Sequence, residues 1–328
     1  MAGPDANRSP LEVAAGAADP KTLETFELLA DETRLAILLA LWDEYEPFVR
    51  NSGVPFSELR ERVGNPDSGK FNYHLGKLTG EVVRATDDGY KLRPGGEKIV
   101  RAVIGEAGRG TSGLPPTQLG MDCPRCDAPT AVTYRDGRLF ERCTECEGYF
   151  AETDDLPAGT LYTWQLEPVG LVDRTPEQMY AAAAMGMLQQ TIGMIEGVCP
   201  SCSGLVESEV EICEEHEVGP DDVCPSCGLE NEISTLFQCS VCKLSVIGPP
   251  SGFVTHHPAV VAFYYERGVE TQYSLDFEGV RQMLEVEKAH EQSLVSTEPV
   301  RIRVTVAYEG DERSLLLDDD LRVIDVSG

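Results

Sequence analysis

The feature that most constrains this chain is the spacing of its cysteines. All eleven fall into C-x-x-C or C-x-x-H pairs: Cys123-Cys126, Cys143-Cys146, Cys199-Cys202, Cys213-His216, Cys224-Cys227 and Cys239-Cys242. With His216 they make twelve ligands, which divide into three tetrahedral sites with none left over. A histidine in an acidic loop would otherwise carry little meaning, but without His216 the third site is one ligand short. The expected cofactor is zinc, about three ions per chain. Four protein ligands per site leave no open position for a catalytic water. The chain also has no H-E-x-x-H, no phosphate-binding G-x-x-x-x-G-K-[ST] and no G-x-S-x-G, so it is not expected to be an enzyme.

In Cys123, Cys126, Cys143 and Cys146 the two pairs flank a segment with an Asp136-Gly137 hairpin turn, the spacing of a four-cysteine zinc ribbon over 121–152. Residues 198–247 read as a double zinc module. Sequential pairing (Cys199, Cys202, Cys213, His216, then Cys224, Cys227, Cys239, Cys242) is the expectation, because each C-P-x-C is followed by a hairpin-length segment leading to its own closing pair. A cross-braced arrangement, first pair with third and second with fourth, stays open. Such modules are expected to lack an extensive apolar core and to rely on the metal, whose binding contributes about 10–16 kcal/mol of apparent folding free energy.

The most apolar stretch, 179–188, falls far short of the roughly 20 residues that span a bilayer, and the first residues form no apolar signal segment. A cytoplasmic protein with reduced thiols and no membrane association is therefore expected.

Charge separates one region from the rest. The chain carries 27 Lys and Arg against 56 Asp and Glu, a formal charge of -29. Residues 51–110 nevertheless hold 10 Lys/Arg against 8 Asp/Glu, whereas residues 111–328 hold 13 against 38. An acidic surface at this level suits a very salty cytoplasm.

The non-acidic stretch lies within 19–107, where apolar periodicity predicts helices from Lys21 and after Asp31, a third capped by Ser57 and ended by Gly64, and a fourth carrying Phe71, Leu75 and Leu78 and ended by Gly80. Asp87, Asp88 and Gly89 predict a hairpin turn, and a closing helix follows. Three helices, a recognition-type helix, a hairpin and a closing helix are the parts of a winged helix-turn-helix in order. With the apolar stripe turned inward, Ser68, Lys70, Asn72, Tyr73 and Lys77 face a groove, and Arg84, Lys91 and Arg93 lie on the wing. Lys and Ser suit phosphate, and Asn suits an adenine edge.

The remaining segments are a lead-in at 1–18, expected to be disordered, a Gly/Pro-rich linker at 108–120, and a connector at 153–197. The connector holds a helix over 175–196 opened by a Thr175/Gln178 capping box, with Met179, Ala182, Ala183, Met187 and Ile195 as a packing face. Residues 248–328 form an α/β segment. In it His256 and His257 precede a short buried helix, in capping or packing roles, and the chain ends in a small antiparallel sheet. The fold class is multidomain α+β.

The segments L-A-D-E-T-R-L-A-I-L-L-A-L, F-S-E-L-R-E-R-V-G, F-N-Y-H-L-G-K-L and D-D-G-Y-K-L-R resemble the winged-helix domain of ArsR-type transcription regulators. The whole chain, with C-P-S-C and H-P-A-V-V-A-F-Y-Y, is similar to predicted DNA-binding regulators of halophilic archaea. The resemblance implies a cytoplasmic, dimeric protein that binds double-stranded DNA. Metal-sensing relatives carry cysteines or histidines in the winged helix; here it contains no Cys and only His74. The expected function is transcriptional regulation, with zinc modules that scaffold the protein or dock a protein partner. The alternatives are an adaptor that binds no DNA and a zinc-thiolate redox or metal-stress sensor.

Overall fold

In a computed structural model, which describes residues 28–46, 53–65, 67–106, 113–149, 155–219, 224–269 and 276–328, the chain divides into one unit over residues 1–110 and another over 111–328. The lead-in at 1–18 and most of the helix expected from Lys21 lie outside the described residues, as does all of 108–112.

In the first unit Asp31 caps α1 (Glu32–Asp43) by accepting a hydrogen bond from the Arg34 N–H. The next helix, α2, spans Phe56–Val63 and begins directly after Pro55, so Ser57 sits inside its first turn and is not the cap. Proline's fixed φ already suits the entry to a helix, so the hydroxyl is not needed there. Gly64, in the left-handed region at φ 67°, ends α2 as expected. Asp67 opens α3 (Ser68–Leu78) by accepting from the N–H groups of Gly69 and Lys70.

Strands β1 (Val83–Thr86) and β2 (Gly89–Leu92) pair from Val83↔Leu92 to Thr86↔Gly89, and α4 (Pro94–Gly105) follows. Gly89 has φ 139°, and a side chain there would collide with the Val54 carbonyl. The hairpin therefore needs this glycine because the Val54 backbone exchanges two hydrogen bonds with Tyr90, at 2.8 and 2.9 Å. Ile37, Leu38, Leu59, Phe71, Leu75, Leu78, Val83 and Val100 close a core in which each is fully buried or nearly so.

Among the described residues the second unit contains three antiparallel sheets. Strands β3 (Thr117–Asp122), β4 (Pro129–Arg135), β5 (Arg138–Cys143) and β6 (Thr160–Gln165) form the first, in sequence order. The boundaries therefore differ from those read in the sequence. The end of the expected linker is strand β3, and the connector supplies β6, which pairs with β5. Helix α5 (Pro176–Ile195) starts at the Thr175/Gln178 capping box. Ala181, Ala183 and Tyr180 pack with Trp164, Leu139 and Val132 of the first sheet, while Met194 joins a separate cluster beside the other two sheets. Burial on two sides makes this helix more apolar all round than the single face over Met179, Ala182, Ala183, Met187 and Ile195 suggested.

The second sheet is β7 (Val206–Ile212), β8 (Ile233–Cys239) and β9 (Ser245–Gly248). The third is β10 (Glu291–Thr297), β11 (Val300–Tyr308), β12 (Asp311–Leu317) and β13 (Val323–Ser327). Helices α6 (Pro258–Tyr265) and α7 (Phe277–Glu287) lie between them in the chain. One core joins Ile233, Phe237 and Val246 to Phe263, Tyr264, Ile302, Val304, Val306, Leu315 and Leu317. The double zinc module thus shares an apolar core with residues 248–328, contrary to the expectation that it lacks one. Among the described residues no helix is long and apolar enough to cross a membrane.

Candidate metal centres and basic helix face

Four of the six ligand pairs fold into the same turn. In each, the backbone N–H of the first cysteine donates to the carbonyl five residues on: Cys123 to Ala128, Cys199 to Gly204, Cys224 to Leu229 and Cys239 to Leu244, at 2.7–3.0 Å. The carbonyl of the same cysteine accepts from the residue four positions on, and that residue is left-handed in every case: Asp127, Ser203, Gly228 and Lys243. Backbone N–H groups also point at sulfur, as from Arg125 to Cys123 Sγ at 3.4 Å and from Val241 to Cys239 Sγ at 3.4 Å. These donors favour thiolate. The thiols of Cys224 and Cys239 are held below their ordinary value, first by the backbone N–H of Cys227 and Cys242 respectively.

The turns bring the twelve ligands into three sets, with all donor atoms of a set within 4.8 Å of one another. The first set is Cys123, Cys126, Cys143 and Cys146, as the ribbon spacing predicts. Its sulfurs are 3.7 Å apart for Cys123 and Cys146, and 3.5 Å apart for Cys126 and Cys143. A tetrahedron with metal–sulfur bonds of about 2.3 Å has edges of about 3.8 Å, so the donors fit the group. Cys123 and Cys143 are buried with Leu161, and Ala128, Tyr149 and Tyr162 pack against them.

The other eight ligands pair neither sequentially nor in a cross-brace. Cys199, Cys202, Cys239 and Cys242 form one set, and Cys213, His216, Cys224 and Cys227 form the other. The reason is the register of one hairpin. Strands β7 and β8 pair with each other from Val206↔Cys239 to Ile212↔Ile233. The outermost ligands therefore meet at one end of the hairpin and the innermost at its tip. In the outer centre the Cys199–Cys242 and Cys202–Cys239 sulfurs are each 3.5 Å apart.

At the tip, His216 Nδ1 lies 3.5 Å from Cys227 Sγ, and its Nε2 lies 3.1 Å from the Glu230 carbonyl oxygen. A carbonyl only accepts, so Nε2 carries the proton and Nδ1 keeps its lone pair for the metal. The Glu230 carbonyl is the functional group that sequence reasoning missed; being backbone, it leaves no residue-type signal.

The helix α3 separates its residues by face. Phe71, His74, Leu75 and Leu78 are buried, while Ser68, Lys70, Asn72, Tyr73 and Lys77 are exposed, Tyr73 by 62%. Lys77 Nζ lies 5.7 Å from the centre of the Tyr73 ring. His74 faces inward, its Nδ1 3.3 Å from Asp31 Oδ1, which sets the carboxylate that caps α1 beside α3. On the hairpin Arg84 and Arg93 are exposed and Lys91 is half-buried. Arg93 donates to the Gly80 carbonyl at the end of α3. The exposed cations thus follow the expected distribution, with Arg93 tied partly to the fold.

His257 caps α6 by accepting from the Ala259 N–H at 3.3 Å, and burial pushes the His256 imidazole down to about 4. His290 is held between the Tyr264 hydroxyl and the Ser251 carbonyl, each at 3.0 Å. Since the carbonyl needs a proton from Nδ1, Nε2 accepts from Tyr264, and His290 is neutral and structural.

Residues 120–323, more than half of the chain, match a family described as a domain of unknown function, DUF7351. The chain belongs to that family. The DUF7351 match contains all twelve ligands and most of the C-terminal sheet. A second domain of unknown function, DUF7347, matches residues 22–103, from before α1 into α4. No curated protein and no solved structure matches the chain.

Proposed function

We propose that the chain is a DNA-binding transcriptional regulator with three structural zinc ions and no enzymatic activity. In this reading residues 19–107 act as a winged helix-turn-helix. The observation that carries it is the two-faced α3, whose exposed side offers Ser68, Lys70, Asn72, Tyr73 and Lys77 beside a hairpin bearing Arg84, Lys91 and Arg93. Lysines on such a face suit phosphates, and Asn72 suits the donor and acceptor of an adenine edge. The protein acts in the cytoplasm, and the ArsR-type resemblance supports a homodimer on double-stranded DNA. Zinc fits all three donor sets because it accepts thiolate and imidazole in tetrahedral array. When bound, the ion links the ends of distant strands. The chain's part is to point backbone N–H groups at sulfur, as at Cys224 and Cys239, and to fix the His216 tautomer.

A genome-wide occupancy profile of the tagged protein tests the reading. Discrete sites lost in a Lys70→Ala/Asn72→Ala variant are expected; occupancy that the variant leaves unchanged would contradict it.

A second role is favoured by a specific surface. Val198, Leu205, Val241 and Ile247 of the module around the outer centre are exposed by 53, 66, 48 and 61%. Val198 bridges to Leu205, and the Ser240 N–H donates to the Leu205 carbonyl, so part of this apolar surface is contiguous. It supports docking of a protein partner through the zinc module.

A further inference from the structure

The three metal centres differ in what surrounds them. The ribbon centre is built into an apolar cluster with Leu161, Tyr149 and Tyr162. The outer hairpin centre is joined to the main core through β8, where Cys239 follows Phe237 by two residues and its N–H donates to the carbonyl of Leu244, which packs on that core. The tip centre has no such support. Among the described residues between Ile212 and Ile233, Cys224 is the only buried one, and Val218 is 53% exposed. Glu214, Glu215 and Glu217 beside the ligands are exposed as well.

Among the described residues the hydrogen bonds that close this excursion include the Cys213 N–H to the Glu232 carbonyl at 2.9 Å, His216 to the Glu230 carbonyl, and the Cys224 turn, and Glu230 also interacts electrostatically with Tyr149 and Tyr162 of the ribbon centre. The β7–β8 ladder ends at Ile212↔Ile233, next to the ligands. Its seven paired positions, the β8 side chains in the core and the outer centre all hold the hairpin without the tip. Local opening costs little where few apolar contacts are lost. A metal that leaves the tip therefore uncovers little buried apolar surface, whereas the other two centres are joined to apolar clusters through Cys123, Cys143 and β8.

We infer that Cys213, His216, Cys224 and Cys227 form a separable metal-exchange site for thiophilic divalent cations, in a chain whose other two centres are fixed. The inference rests on reading the three sets as metal centres and is independent of DNA binding. It places any response to metal supply at the hairpin tip. The donor set also gives the site its own signature: three sulfurs and one nitrogen, against four sulfurs at the other two.

The test is exchange of cobalt into the zinc-loaded full chain, followed by absorption and metal analysis. Cobalt bound by three sulfurs and one nitrogen absorbs at shorter wavelength than cobalt bound by four sulfurs. One equivalent should enter roughly tenfold or more faster than the rest, with the sulfur-nitrogen spectrum and with Trp164 emission unchanged. His216→Ala should hold two ions and lose the fast phase. His216→Cys, which keeps four ligands, should hold three, and its fast-exchanging cobalt should shift to the four-sulfur spectrum. A single rate for all three ions, a fast phase with the four-sulfur spectrum in the parent chain, or a fast phase surviving in His216→Ala would overturn the inference. So would loss of all three ions in His216→Ala. Fewer than three ions in the parent would instead contradict the reading of the ligand sets.

Discussion

The two units of this chain solve the same problem by different means. The first, residues 1–110, closes an apolar core of helix and hairpin side chains and contains no cysteine. Its apolar residues hold the fold, which leaves the outer face of α3 free for lysine, asparagine and tyrosine. The second gathers eleven cysteines and a histidine into three sets that could each hold a metal ion, and carries 38 Asp and Glu against 13 Lys and Arg. There the three sets would let metal ions tie strand ends together in addition to the apolar clusters. The lesson is that a surface for recognition is most easily kept where packing alone secures the backbone.

Removing metal should break the comparison most sharply. Each unit has one tryptophan, Trp42 in α1 and Trp164 in β6, the latter 8% exposed and 4.8 Å from the Tyr180 ring. With a structural zinc contributing about 10–16 kcal/mol, a strong chelator should unfold the second unit. In Trp42→Phe protein the remaining Trp164 emission should shift to the red. In Trp164→Phe protein Trp42 emission should stay as it was. A shift of both would mean that the first unit also depends on metal.

A smaller effect sharpens the other half. Phe71→Ala empties a fully buried position in the first core and should cost about 3–5 kcal/mol, with the metal content of the parent chain unchanged. Loss of metal in this variant would show that the units are not energetically distinct. Smaller again is Thr175→Ala, which removes the α5 capping box. It should lower the melting temperature of the second unit by an amount equivalent to about 1 kcal/mol and leave the first untouched. Differential scanning calorimetry reads both variants.

What the residues disclosed and what they withheld follow the same division. The six ligand pairs, the Asp31 cap, the Thr175 capping box and the inward stripe of α3 are local patterns and are legible along the chain. The nested pairing is not, because it depends on V-E-S-E-V-E-I finding I-S-T-L-F-Q-C across 20 residues. Alternation shows that each is a strand but does not name its partner. Strand β6 was hidden in the connector for the same reason, since its partner β5 lies beyond the ligand pair Cys143-Cys146. Helix α7 leaves a signal inside the α/β segment expected at 248–328, with Asp276 as cap and Val280 and Leu284 at helical spacing.

If the exposed face of α3 reads DNA as proposed, the direct measurement is the affinity of the full chain for an occupied genomic duplex across a KCl series. Each neutralised phosphate gives an ordinary basic binder a salt slope near -0.9, whereas here 38 carboxylates in residues 111–328 oppose binding in dilute buffer. At about 1 M salt the Debye length is roughly 3 Å, so that repulsion is screened while short-range base contacts survive. Affinity should persist or rise toward molar KCl. Lys70→Ala and Tyr73→Ala should weaken it, and Asn72→Ala should cost about 1–3 kcal/mol of sequence discrimination with stability changed by about 0.5 kcal/mol or less. Equal affinity of parent and variants at every salt concentration would contradict the claim.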